Sequence, residues 1–379
     1  MNQERSSLPL RTVAARPLGS ALTALLLLTG CAVQAPEAAT SATTSATTSA
    51  ATSTPSPAAP DPAALRARVA PLLGVVQPVT AAEVAAPRAV LGRALFWDTR
   101  LSLDGKTACA SCHAASDHSS DSRRFSINAR GLPTTMQSQP VFMSMDQVAL
   151  RWYGDRTDGA HQAERSITGS MGLGSAAEMV PLLRRMGYEA AFAQAFGSAG
   201  GDPVTARNYA LALQDYQRTL RNPAPIDAFL QGDDRALSAQ QRSGLEKFVA
   251  TGCTACHGGP LLGGQSMQKF GLTKDYWLAT GSNPPDLGRF NATKKEEDRY
   301  VFRVPMLRNV EKTAPYFHDG SVTTLPQAVR VMAEVQLGRQ LPEADVADIV
   351  AFLGALTGPI PAHYAPPVFP AAQVAGARP

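Results

Sequence analysis

The chain has 379 residues, of which 44% are hydrophobic and 17% charged, and its formal charge is +4. This is enough length and apolar content for two cores of ordinary size, and it excludes a disordered polymer. The weak charge gives no argument for a nucleic-acid partner, and loss of a leader carrying three Arg and one Glu lowers it from +4 to +2.

Residues 1–30 read as an export signal: Arg5, Arg11 and Arg16 precede an apolar run, Leu18 to Leu28, that is too short to span a membrane as a mature helix. The run ends in Leu28-Thr29-Gly30-Cys31, which has the form of a bacterial lipobox and predicts a lipid anchor through Cys31. Ala32 after it points to the outer membrane, with the protein on the periplasmic side. Residues 31–61, almost entirely Ala, Thr, Ser and Pro, read as a tether that holds the folded part roughly 30 Å from the membrane surface.

From Pro62 the composition and period are helical as far as Leu73. Leu91 to Ser102 leads into Cys109-Ala-Ser-Cys112-His113, and the same pattern returns as Cys253-Thr-Ala-Cys256-His257. C-x-x-C-H attaches c-type haem: the two thiols form thioethers and the histidine is an axial iron ligand. The two motifs use four of the five cysteines, and Cys31 accounts for the fifth. A zinc knuckle or a pair of disulfides are the rival readings. Zinc, however, favours ligand pairs close together in a small module.

Asp117 to Pro140 reads as loop, and Trp152 to Arg156 as a turn. Helical spacing predicts helices over 176–196 and 203–220, then one from the Ser238 N-cap into Cys253, and two more over 325–336 and 342–356. Gly258 to Arg299 is Gly- and Pro-punctuated loop, and no alternating strand pattern competes. The expected fold class is all-α: two cytochrome c-like domains related by duplication, at 62–232 and 233–358, followed by a tail at 359–379.

Several motifs in order resemble the bacterial dihaem cytochrome c peroxidases and their MauG-type relatives. They are Leu95-Phe-Trp-Asp-Thr-Arg-Leu-Ser, Trp152-x-Gly-Asp-Arg156, Glu178-Met179, Asp286-Leu-Gly-Arg289, Phe302 to Asn309, Thr313 to Gly320, and Gln327 to Met332. The resemblance implies two class I cytochrome c domains, often in a homodimer, with Ca2+ between the haems. It makes His113 the proximal ligand of a peroxidatic haem and His257 that of an electron-entry haem. It also makes Met332 the sixth ligand of the second iron, His318 a histidine packed beside that haem, and Trp152 a relay between the two.

Glu178 corresponds to the acid–base group, whose pKa a half-buried position beside the haem would raise, and Gln162 to a second polar residue of the distal pocket. Gln137, Thr313 and Pro315 stand where the family binds Ca2+, a hard ion that takes oxygen donors. Arg303 and Arg308 are candidate propionate partners, since a guanidinium matches a carboxylate fork, with solvated side chains the rival reading.

The sequence departs from the pattern in two places. Many family members place a distal histidine where this chain has Ala129, so the first iron is expected to be open, with His161 the rival ligand and His118 a remoter one. The stretch from Gln162 to Glu178 is also longer than in the family. Reduction of H2O2 to water, with electrons from a small soluble cytochrome c or cupredoxin, is the main reading. MauG-type oxidation of Trp or Tyr residues in a partner protein is the second, favoured by Ala129 and opposed by Met332. A tethered dihaem electron carrier is the third.

Overall fold

The computed structural model describes residues 60–371; the export signal, Cys31 and nearly all of the tether lie outside the described residues. Asp61, expected in the tether, instead caps α1 (Pro62–Val69) by accepting a hydrogen bond from the Ala64 N–H at 2.8 Å. Next come α2 (Ala81–Ala85) and α3 (Pro87–Trp97), which leads toward the first C-x-x-C-H turn. After a long loop come α4 (Gly159–Thr168), α5 (Met179–Arg185), α6 (Glu189–Phe196), α7 (Ala206–Arg218) and α8 (Pro225–Leu230). The second half holds α9 (Ala239–Thr251), α10 (Tyr276–Thr280), α11 (Phe290–Thr293), α12 (Leu325–Leu337) and α13 (Glu343–Gly354). No described helix is long and apolar enough to cross a membrane.

The helices start where side chains can satisfy free N–H groups. In α9, Ser238 and Gln241 form a reciprocal capping box. In α7, Thr205 accepts from the Asn208 N–H at 3.0 Å. The helix expected over 176–196 is broken into a 3-10 turn at Ala176–Glu178, then α5 and α6. The second break falls at Gly187, whose φ of +79° ends a right-handed helix. Strands, not expected, do occur: β1 (Met267–Lys269) pairs antiparallel with β2 (Val301–Arg303), Met267 opposite Arg303.

Each half is built on one helix crossing. In the first, α3 packs on α7; in the second, α9 packs on α13. Both crossings run through a glycine with no room for a side chain. A Cβ on Gly92 would lie 1.9 Å from the Ala212 carbonyl oxygen, and one on Gly244 would lie 1.8 Å from that of Asp348. In each case the next obstacle sits one turn later on the partner helix, at Tyr216 and at Phe352.

The expected domain limits are corrected at both ends of the chain. Leu65 and Val69 of α1 belong to the second core, with Leu245, Phe248 and Phe352, while Tyr364 of the tail belongs to the first, with Leu95, Phe96 and Phe142. The chain passes from the first core to the second between Leu220 and Ala224, apart from Met136 and Trp152, which already belong to the second. Each terminus therefore covers apolar surface of the half farther from it in sequence, which ties the halves together.

Candidate active site

Two cavities open beside the two motifs. The first, about 360 Å³, is lined by Cys109, Cys112 and His113 and, from the other elements, by Gln162, Arg156, Arg165 and Met171. The second, about 440 Å³, is lined by Cys253, Cys256, His257, Met332 and His318 together with Phe248, Phe302 and Leu353. Trp152 and Gln137 line both, so one short stretch of side chains separates the two spaces.

The motif histidines are held alike. The His113 N–H donates to the Cys109 carbonyl at 3.1 Å and His257 to that of Cys253 at 2.9 Å, each closing its turn. Nδ1 of His113 donates to the Ser119 carbonyl at 3.0 Å, and Nδ1 of His257 to that of Leu262 at 3.0 Å. A histidine fixed through Nδ1 offers Nε2 to a metal. Burial lowers the pKa of both imidazoles, which favours the neutral, ligating form. Burial also pushes the Cys109 thiol up to about 12 and that of Cys253 up to about 11. Among the described residues no three His, Cys, Asp or Glu side chains cluster as metal ligands.

Buried polar atoms without partners show what the cavities lack. Gln162 Oε1 and Arg156 Nε are orphans at the first, His318 Nε2 at the second. Arg303, 1% exposed, bonds only to neutral acceptors, among them Gln139 Oε1 at 2.8 Å and the Arg151 carbonyl at 3.2 Å. Burial lowers its pKa to about 10, so it stays charged at neutral pH with no carboxylate facing it. A buried cation of this kind needs an anion, and a haem propionate is a carboxylate. The residues present therefore fit a covalently held haem in each cavity.

Arg308, the other expected propionate partner, is already taken. Its guanidinium is bidentate to Asp227 at 2.6 and 2.8 Å, fully buried. Glu178 is also placed differently from expectation: it is exposed and does not line the cavity. Its carboxylate turns back onto its own loop, accepting from the Gly174 N–H at 3.2 Å and the Ser175 hydroxyl at 3.4 Å. The Ala176–Glu178 turn nonetheless packs on α4, the helix that carries Gln162.

His161 does not line the cavity and stands beside Thr157, and His118 stands near the Phe142 ring. Gln137, Thr313 and Pro315 do share the second cavity. The Gln137 amide nitrogen, however, donates to Ser120 Oγ, and no carboxylate lines that cavity. Carbonyl oxygens of this kind are donors that Ca2+ accepts.

The two departures from the family pattern meet in space. The Ala129 N–H donates to the Ser170 carbonyl at 2.9 Å, and Arg130 bonds the carbonyls of Thr168 (2.9 Å) and Leu173 (3.1 Å). A Cβ on Gly172 would sit 3.2 Å from that of Ala129. The segment after Gln162 thus packs on the Ala129 loop and pins it. This contact joins residues about 40 apart and was not readable from spacing.

Residues 86–235 match the family model described as di-haem cytochrome c peroxidase. The chain is 41% identical over 298 residues to cytochrome c551 peroxidase of Pseudomonas aeruginosa, covering 76% of this chain and 84% of that one. The chain belongs to the dihaem cytochrome c peroxidase family. Within that family it is also 30% identical to the methylamine utilization protein MauG of Methylophilus methylotrophus, covering 72% and 82% of the two chains. Among solved structures, a MauG-like protein associated with microbial copper homeostasis superposes with a TM-score of 0.65 at 26% identity, over 77% of this chain and 95% of that one. The haem c cofactors of the family are the groups the two cavities fit.

Proposed function

We propose that this dihaem peroxidase reduces H2O2 to water at the first cavity, with electrons that enter at the second. The reading rests on one observation above the rest: two motif histidines, each with Nδ1 held on a backbone carbonyl, face two differently furnished cavities, with Trp152 bordering both. When bound, haem supplies irons that take up peroxide and pass electrons one at a time. Cys109, Cys112 and His113 would hold the first, and Cys253, Cys256, His257 and Met332 the second, with Arg303 meeting a propionate.

In the first cavity Gln162 Oε1 accepts a hydrogen bond from, and so orients, an incoming peroxide, while Arg156 and Arg165 counter developing negative charge. Glu178 moves the proton between the peroxide oxygens once its two loop hydrogen bonds open, a change that costs about 1 kcal/mol for each. Trp152 carries electrons across. Its indole N–H donates to the Gln137 carbonyl at 3.0 Å, and the Gln137 N–H donates to the His318 carbonyl at 2.9 Å, so the bridge is rigid.

The donor is a small soluble cytochrome c or cupredoxin. It would meet the rim of the second cavity where Leu272 is 52% exposed. Lipidation at Cys31 would place the enzyme on the periplasmic side of the outer membrane. The matching crossings at Gly92 and Gly244 support an origin by duplication. The pinned Ala129 loop favours one rival, MauG-type oxidation of Trp or Tyr in a partner protein.

Mixing the oxidised holoprotein with H2O2 and a reduced small cytochrome decides between them. Many turnovers of donor oxidation are expected. A peroxide-oxidised protein that ignores the donor supports the MauG-type reading, and a protein inert to peroxide supports a carrier.

A further inference from the structure

The C-terminal segment after α13 does not trail from the second half. It crosses to the first and is tied down at each step. His363 Nε2 stands 3.0 Å from the Thr219 hydroxyl and 3.1 Å from the Thr219 carbonyl. Arg93 Nε donates to the Ala365 carbonyl at 2.8 Å, and Arg100 donates to that of Pro370 at 3.1 Å with its guanidinium over the Phe369 ring. Between these anchors Tyr364 is 3% exposed. Its ring packs edge-on against Phe142 (4.8 Å) and Trp97 (5.3 Å), with Phe96 at 5.8 Å. Its hydroxyl donates a hydrogen bond to the main-chain carbonyl of His113.

That bond is the difference between the two motif histidines. Both are fixed at the main-chain N–H and at Nδ1. Only His113 is also fixed at its carbonyl, and the donor comes from 251 residues away. Among the described residues the His257 carbonyl accepts no such bond. An aromatic side chain with three ring neighbours has little freedom to recoil, so its hydroxyl sets the position of the peptide unit that carries the imidazole. A histidine held at three atoms cannot tilt or slide as its iron changes state, and groups behind a ligand tune that ligand.

We propose that Tyr364 is a positioning residue for His113, and that the C-terminal strap completes the proximal side of the first site, leaving the second independent of it. The inference rests on the assignment of His113 as a haem ligand.

The test is Tyr364→Phe in the full-length holoprotein, which removes the hydroxyl and keeps the ring. Haem content is measured first, because a wild-type protein lacking haem at Cys109 and Cys112 would overturn the ligand assignment and not merely this step. With both haems present, the histidine–iron stretching band of the reduced first haem is expected to fall in frequency and its reduction potential to shift. Its reaction with peroxide is expected to slow by roughly 10-fold, with the second haem's potential unchanged. Arg93→Gln, which loosens the strap and keeps the hydroxyl, is expected to shift the same two readouts in the same direction and less. If both variants leave the band and the potential of the first haem at wild-type values, or move both haems equally, Tyr364 does no more than fill space.

Discussion

The two halves of the molecule share a helix crossing, a C-x-x-C-H turn and a histidine with Nδ1 on a carbonyl, and they differ in what surrounds those parts. The first cavity is furnished with Gln162, Arg156 and Arg165, side chains that can bind a polar substrate. The second is walled by Phe248, Phe302 and Leu353 and presents Met332 and the orphaned His318 Nε2. Thioether ligation in apolar surroundings raises a haem's potential and suits electron entry, whereas an open polar site suits chemistry. The difference teaches that one scaffold becomes a reactive or a conducting site through its loops, while the shared crossing only fixes where the motif histidine stands.

The largest difference between the halves is expected at the proton-transfer group. Glu178→Gln should cut peroxide turnover by about 10²- to 10⁴-fold and leave the spectrum and potential of the second haem untouched. Wild-type turnover would remove Glu178 from the reaction. The next largest effect is on stability, through the aspartate–arginine pairs. Asp227 and Arg308 are 4% and 0% exposed, so Asp227→Asn strands a buried cation and should cost about 3–5 kcal/mol in chemical denaturation. The first half's pair, Asp98 with Arg100, has its arginine 32% exposed, and Asp98→Asn should cost less.

Smaller effects follow from the crossings. Gly92→Ala and Gly244→Ala each force a methyl into a carbonyl and should cost about 1–3 kcal/mol by overpacking. Gly92→Ala should alter the spectrum of the first haem and Gly244→Ala that of the second. The smallest effect is acid stability before the first motif. Burial raises the Asp104 carboxyl, but hydrogen bonds from the N–H groups of Lys106 and Thr107 and the hydroxyls of Ser102 and Thr107 outweigh it and hold the pKa at about 2. A carboxyl depressed in the folded state stabilises above its unfolded value and loses that contribution as pH falls through the folded one. Asp104→Asn should therefore flatten the stability profile between about pH 4 and 2, by little, because the group is mostly solvated.

What could be read from the sequence is what local chemistry determines. The two C-x-x-C-H turns, the Ser238 cap of α9 and the extents of α7, α12 and α13 depend on neighbours within a few residues. Helix α4 was missed although it carried a signal: Asp158 accepts from the His161 N–H at 2.8 Å as an N-cap, and Ala160, Ala163 and Ile167 form the buried face. The break at Gly187 was less legible, because the tail decides it as well: a Cβ there would lie 2.4 Å from the Ala371 carbonyl oxygen. Met332 and His318 line the second cavity and Trp152 lines both, positions that the motifs around them made legible. Glu178, Arg308 and the crossing of the chain's ends depend on contacts between distant segments. No period or motif encodes these.

An open first site and a Met332-ligated second one require the two irons to differ at rest. Electron paramagnetic resonance of the fully oxidised holoprotein, before and after one equivalent of H2O2, measures this directly. One high-spin and one low-spin haem in equal amounts are expected, with peroxide acting on the high-spin signal without prior reduction. Two low-spin haems that ignore peroxide until the protein is reduced would contradict an open first site.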